Sequence, residues 1–100
     1  MAELVKERVI IMEYQYPIDM DWSTEEIVDV IAFFEAVESV YENGYERSAF
    51  MDKYRTFKSI VPGIAEEKRI GKEFEEVSGY SLYRAVQAAR KAQDGEKVKL

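Results

Sequence analysis

Four carboxylates crowd the stretch PIDMDWSTEEI, residues 17–27: Asp19, Asp21, Glu25 and Glu26, set around the one tryptophan, Trp22. Carboxylate oxygens are the hard ligands that Mg²⁺ and Ca²⁺ prefer. The spacing lacks the Asp-x-Asp-x-Asp-Gly run and the closing Glu of a calcium loop. A second group, Glu66, Glu67, Lys68, Tyr80, Ser81 and Tyr83, offers the carboxylate, ammonium and phenol groups of acid–base chemistry. Catalysis needs such groups converged in a pocket with displaced pKa values, and the sequence pattern gives no sign of convergence. A third group is basic: Lys53, Arg55, Lys58, Lys68, Arg69, Lys72 and Arg84, interleaved with Tyr54, Phe57, Tyr80 and Tyr83. Cations and aromatic rings together can hold phosphates and stack bases.

Missing residue types narrow these options. The 100-residue chain has no His and no Cys. Without His it lacks the commonest general acid–base and metal ligand. Without Cys there are no disulfides, thiol nucleophiles or thiolate metal sites, which suits the reducing cytoplasm where the protein is expected. No enzyme activity, no cofactor and no metal site is expected. No apolar run approaches the ~20 residues that span a bilayer, so no membrane partner is expected either.

Charge divides the chain. Residues 1–46 hold two basic and twelve acidic side chains; residues 47–100 hold twelve basic and eight acidic, for a net charge of −6. A net-negative chain opposes tight phosphate binding, which needs a positive field. The halves attract each other in a folded domain, and they also offer two electrostatically distinct surfaces to partners.

The elements that must position these groups are helices. Ser23 as N-cap places Glu26 at N3, the spacing of a capping box, with Trp22 and Ile27 at the N′ and N4 positions of a hydrophobic staple. The carboxylates of the opening stretch thereby gain a helix-start explanation, since acids favour the positive end of the helix dipole. The first helix is predicted over 24–42, stopping at Asn43-Gly44. Its apolar residues, from Ile27 through Phe33, Phe34 and Val37 to Tyr41, sweep about half the circumference, which predicts a central helix. Its outer face carries Glu25, Asp29, Glu35 and Glu42, a candidate protein-contact surface.

Further helices are predicted over 46–61, 64–78 and 81–93. Phe50, Tyr54, Phe57 and Val61 form the inward stripe of the second, which Pro62-Gly63 ends. Ile64, Ile70, Phe74 and Val77 are expected to line the third. Gly71 within it is expected to mark the close approach of a neighbouring helix, because a mid-helix Gly costs up to ~1 kcal/mol against Ala. Ser81 caps the fourth, where Leu82, Val86 and Ala89 line one side and Ala85, Ala88 and Ala92 offer a small-residue strip for self-association. Residues 1–22 are expected as an extended segment with its aromatics docked on the bundle, and 94–100 as a frayed tail. The whole is a single all-α domain, four-helix bundle-like, behind an extended N-terminal segment.

The runs MEYQYPIDMDWSTEEIVDVIAFFEAVESVYENG, KYRTFKSIVPG and EEKRIGKEFEEVSGYSLY resemble the uncharacterised protein family numbered 0223, small proteins of Gram-positive bacteria, over residues 12–93. The resemblance implies an all-α fold of four helices. It implies no activity, and it carries no catalytic or binding residue to this chain. Members commonly begin near the position of Met12. Residues 6–10 can be encoded by purine-rich codons resembling a ribosome-binding site, so native translation is expected to start at Met12; the intact mass of the endogenous protein tests this.

The functional expectation is a small non-enzymatic interaction or regulatory protein acting through an unknown protein partner or as a homo-oligomer. The alternative is a weak nucleic-acid-associated factor using the basic second half.

Overall fold

The computed structural model describes residues 16–100, so residues 1–15, and with them Met12, lie outside the described part. Four helices follow one another: α1 (Thr24–Glu42), α2 (Arg47–Ile60), α3 (Ile64–Ser78) and α4 (Leu82–Lys91). Two short strands, β1 (Tyr45–Glu46) and β2 (Lys97–Val98), pair antiparallel with Tyr45 opposite Val98.

The start of α1 is set locally. The Ser23 hydroxyl accepts from the Glu26 N–H at 3.1 Å, and Glu26 Oε1 accepts from the Ser23 N–H at 2.8 Å. Two otherwise orphaned donors are thus satisfied reciprocally. Asp19 closes the turn before it, its carboxylate accepting from the Asp21 N–H at 2.9 Å and its carbonyl from the Trp22 N–H at 3.1 Å. Trp22 is half-buried against the core.

Neighbouring phenylalanines explain why α1 is central. Residues 33 and 34 differ by about 100° around the axis, so their rings face different partners. Phe33 stacks on Phe57 of α2 at 4.7 Å, and Phe34 stacks on Phe74 of α3 at 4.8 Å. All four rings are fully buried. Tyr16, also buried, lies 5.0 Å from Phe34 and 5.9 Å from Phe74. The described part of the N-terminal segment, 16–22, therefore runs without helix or strand and docks the Tyr16 ring, and the rest of the segment expected as extended lies outside the described residues.

Residues 94–100 are not a frayed tail. Val98 is buried, the Arg47 N–H donates to the Glu96 carbonyl at 2.9 Å, and the Leu100 N–H donates to the Val40 carbonyl at 2.9 Å. The return path needs Gly44, whose φ of 91° is the left-handed region. A Cβ there would also press on the Lys97 side chain at 2.5 Å. Glu46 fastens this corner as the N-cap of α2. Its carboxylate accepts from the N–H groups of Ser48 (2.8 Å), Ala49 (3.0 Å) and Gly95 (3.1 Å).

The α3–α4 turn is locked differently. Gly79, at φ 82°, ends α3 with its N–H on the Glu75 carbonyl. Tyr41 stacks on Tyr80 at 4.5 Å, and its hydroxyl donates to the Ser81 carbonyl at 2.9 Å. Ala85 and Ala89 of α4 are fully buried, and Ala88 and Ala92 pack against the core. Of the small-residue strip, Ala85 is thus spent inside the domain, while Ala88 and Ala92 stay partly exposed. Among the described residues no helix is long and apolar enough to cross a membrane.

Candidate functional site

The α3 stripe departs from its expected pattern, and the departure opens a site. Ile70 and Phe74 are buried, but Ile64 is 68% exposed and Val77 is 40% exposed. Ile64 precedes Ile70 by six residues, about 120° off the buried face at 100° per residue. Ile64 points instead to a cleft of about 650 Å³ bounded by α3, α4 and the end of α2. Tyr83, 70% exposed, lines the same cleft with Leu82 and Val86. Two of the large exposed apolar side chains thus share one hollow, and such clustering, unlike scattered exposure, marks interaction surfaces.

Gly71 also lines the cleft. A Cβ added there would meet only the Leu82 Cβ, at 4.0 Å, an ordinary van der Waals separation. Close helix approach therefore does not require this glycine. Its effect is to leave the cleft wall without a side chain.

The polar rim is mostly cationic. Lys58, Lys68, Lys72 and Arg90 face two carboxylates, Glu67 and Glu75. Glu67 is already engaged: Lys58 Nζ pairs with Oε1 at 2.7 Å, and the Tyr54 hydroxyl donates to Oε2 at 2.9 Å. Arg90 lies over the Tyr54 ring with its guanidinium carbon 5.8 Å from the centroid, a cation–π contact. Burial, and then the hydrogen bond to Glu67, raises the Tyr54 phenol above its ordinary value. The phenol is therefore protonated at neutral pH and is no general base. Lys68 and Lys72 form no ion pair among the described residues.

The groups singled out in the sequence fall in several places. Of the acid–base set, Glu67, Lys68, Ser81 and Tyr83 border the cleft. Glu66 pairs with Arg69 at 3.6 Å, while Tyr80 stacks on Tyr41 and donates to Glu42 at 2.7 Å. Ser81 is the N-cap of α4, accepting from the Arg84 N–H at 3.2 Å. Of the basic set, Arg55 pairs with Asp52, Lys58 with Glu67, and Arg69 with Glu73 at 3.0 Å. Tyr54 and Phe57 are buried, so they offer no ring face for a base. Among the described residues no three potential metal ligands converge. The acidic residues Glu25, Asp29, Glu35 and Glu42 are all exposed on α1. They form two pairs, Glu25 with Asp29 and Glu35 with Glu42, about a quarter to a third of a turn apart.

The helical pattern alone does not reveal the cleft, because Ile64 reads as part of the buried stripe while the fold leaves it exposed. The six-residue gap to Ile70 is the available signal, together with Gly71 and the lysines Lys68 and Lys72 on one helix face.

These features define a small all-α domain with an open, cation-rimmed apolar cleft. The model of the Uncharacterised protein family (UPF0223) matches residues 13–98. The chain is 55% identical to the UPF0223 protein of Bacillus mycoides strain KBAB4 over 89 residues, 89% of this chain and 100% of that relative. It is 58% identical to the UPF0223 protein of Staphylococcus saprophyticus over 83 residues, 83% of this chain and 90% of the relative. The UPF0223 protein of Streptococcus pneumoniae serotype 19F is 54% identical over 84 residues, 84% of this chain and 91% of the relative. The chain belongs to the UPF0223 family.

Proposed function

We propose that this protein is a non-enzymatic interaction protein of the bacterial cytoplasm and that the cleft between α3 and α4 is its contact surface. One observation carries the reading: Ile64 and Tyr83, at 68% and 70% exposure, stand on one apolar hollow beside Lys68 and Lys72, which form no ion pair among the described residues. Leaving such a patch in water forgoes hydrophobic stabilisation of about 25 cal/mol per Å². A partner that covers it recovers that term. The α1 carboxylates Glu25, Asp29, Glu35 and Glu42 are the competing surface. They are charged but carry less apolar area, with Val28 (59% exposed) the one large exposed apolar side chain among them. The nucleic-acid alternative is weaker, since three of its seven cations are already paired and the net charge is −6.

Affinity capture from Bacillus extract with three tagged chains tests the reading. The wild type should retain a stoichiometric protein that Ile64→Asp/Tyr83→Asp loses at unchanged melting temperature. Retention by that variant, with loss from Glu25→Lys/Asp29→Lys, would move the contact to α1. Nuclease-sensitive RNA or DNA in place of a protein would promote the alternative.

A further inference from the structure

We infer that the cleft takes an amphipathic α-helix of a partner protein, apolar on its inner face and acidic along its flanks. The inference rests on the cleft being a contact surface and specifies the chemistry of what enters it.

The walls dictate an occupant that binds through side chains. Both walls are helices, whose backbone N–H and C=O groups are committed internally along their length. An extended peptide gains its affinity by adding to an exposed strand edge, and the cleft presents none; a helix in a groove needs only apolar anchors at i, i+3, i+4 and i+7. The dimensions agree. From Ile64 to Glu75 the α3 wall rises about 16 Å, and from Leu82 to Arg90 the α4 wall rises about 12 Å, at 1.5 Å per residue. Two to three turns of helix match that length. Leu82 and Val86 form an apolar floor, and Gly71 leaves room beside it. Ile64 and Tyr83 stand mostly exposed, so an occupant that covers them must extend past the floor.

Charge fixes the flanks. Lys68 and Lys72 sit four residues apart on α3, neighbours at about 5–6 Å along one helix face, and neither has a carboxylate partner among the described residues. Carboxylates with the same four-residue spacing on a docked helix would meet both. Arg90 on the opposite wall stands ready for a third acid. Glu75 is the one rim carboxylate without an ion pair among the described residues, and it disfavours an acid at its end of the cleft. Such pairing steers encounter and sets register, and it weakens with salt.

The test is a selection on the whole chain. The probe is a displayed library of peptides of about 16 residues, long enough to span both walls, with apolar residues fixed at i, i+3, i+4 and i+7 and other positions free. On the wild type the selected peptides should carry Asp or Glu four residues apart on one flank. Their binding should shift the amide resonances of Leu82, Tyr83 and Val86 and fall by about tenfold in the Lys68→Glu/Lys72→Glu variant. The same library selected on that variant should return Lys or Arg at those positions. Absence of enrichment, identical sequences on both proteins, or shifts confined to α1 would overturn the inference. So would decanoate, a small anionic amphiphile, shifting the cleft amides when no peptide is enriched. Self-association lost equally in Lys68→Glu/Lys72→Glu and Glu25→Lys/Asp29→Lys would give the cleft to a second copy instead. If the selection fails while Ile64→Asp/Tyr83→Asp still loses the captured protein, the contact surface stands and only the helix chemistry falls.

Discussion

The two sides of this domain treat the same residue types differently. On the α1–α2 side, aromatic rings close on one another: Phe33 lies within 5.6 Å of Phe50 and Tyr54 and stacks on Phe57, and none of these rings is open to solvent. On the α3–α4 side, Ile64 and Tyr83 stand exposed around a cleft that no described residue fills. Composition does not separate the sides, since both are rich in apolar residues. Stability is concentrated on the closed side, and the open side retains apolar surface that folding does not use.

The largest contrast is expected from two aromatic substitutions. Phe34 is fully buried between Tyr16, Phe57 and Phe74, so Phe34→Ala should cost about 3–5 kcal/mol, the loss of transfer energy plus a cavity. Tyr83→Ala on the cleft should change stability by no more than about 0.5 kcal/mol. Urea unfolding of both variants measures the difference. Equal losses would mean that Tyr83 packs in solution and that the cleft closes.

Next comes the C-terminal return. Truncation after Gly95 removes the buried Val98 and both strand hydrogen-bond partners of the Tyr45 corner. Burial of a Val side chain contributes about 1.5–3 kcal/mol, and the urea midpoint should fall accordingly. A tail frayed in solution would leave the midpoint where it is.

That corner also shows what was legible in the sequence. Caps and breakers act over three or four residues, so Ser23, Asn43, Pro62, Gly79 and Ser81 carried the helix boundaries. The half-circumference of apolar residues on α1 carried its central position, because burial on several sides leaves that pattern in one segment. The strand pair left no such mark. It joins residues 45–46 to 97–98, more than fifty positions apart, and each strand is too short for a period to register. The cleft was hidden for a related reason: a stripe names residues able to be buried, while whether Ile64 is buried depends on what the rest of the fold packs over it, and Ile64 is left 68% exposed. Even so, family membership was legible from the motif runs, and the family resemblance brought no function with it.

A smaller effect has the opposite sign. Gly71→Ala should stabilise the domain by up to ~1 kcal/mol, since Ala is the better helix former and its Cβ meets nothing nearer than Leu82 at 4.0 Å. The added methyl narrows the cleft, so the melting temperature should rise while binding of the selected acidic helices weakens. Stabilisation with unchanged binding would remove Gly71 from the contact surface.

The smallest effects separate the two sides by pH. On the closed side, hydrogen bonds from the Ser48 and Ala49 N–H groups hold Glu46 below its ordinary range. The Ser48 hydroxyl, then Arg47, does the same for Asp94. A lowered folded value means stability that is present above the unfolded value and lost as pH falls through the folded one. Both groups are exposed, so solvent screens the effect. At Tyr54, whose ring packs near Phe33 and also lines the cleft, the sign reverses. Tyr54 is raised by burial and by Glu67, so its contribution is present below the ordinary tyrosine value near 10 and is lost as pH rises through the raised one. Acid should therefore loosen the Tyr45–Val98 corner first, and alkali the cleft. Hydrogen exchange at Arg47 and Lys97 should accelerate below the ordinary carboxylate range, with Glu46→Gln showing a weaker dependence. Ultraviolet titration should find the Tyr54 phenol ionising late, so Tyr54→Phe should lose one late-ionising phenol relative to the wild type. A late end of the titration curve unchanged in Tyr54→Phe would mean that the Tyr54–Glu67 hydrogen bond does not hold the cleft wall, and the contrast between the sides would then rest on packing alone.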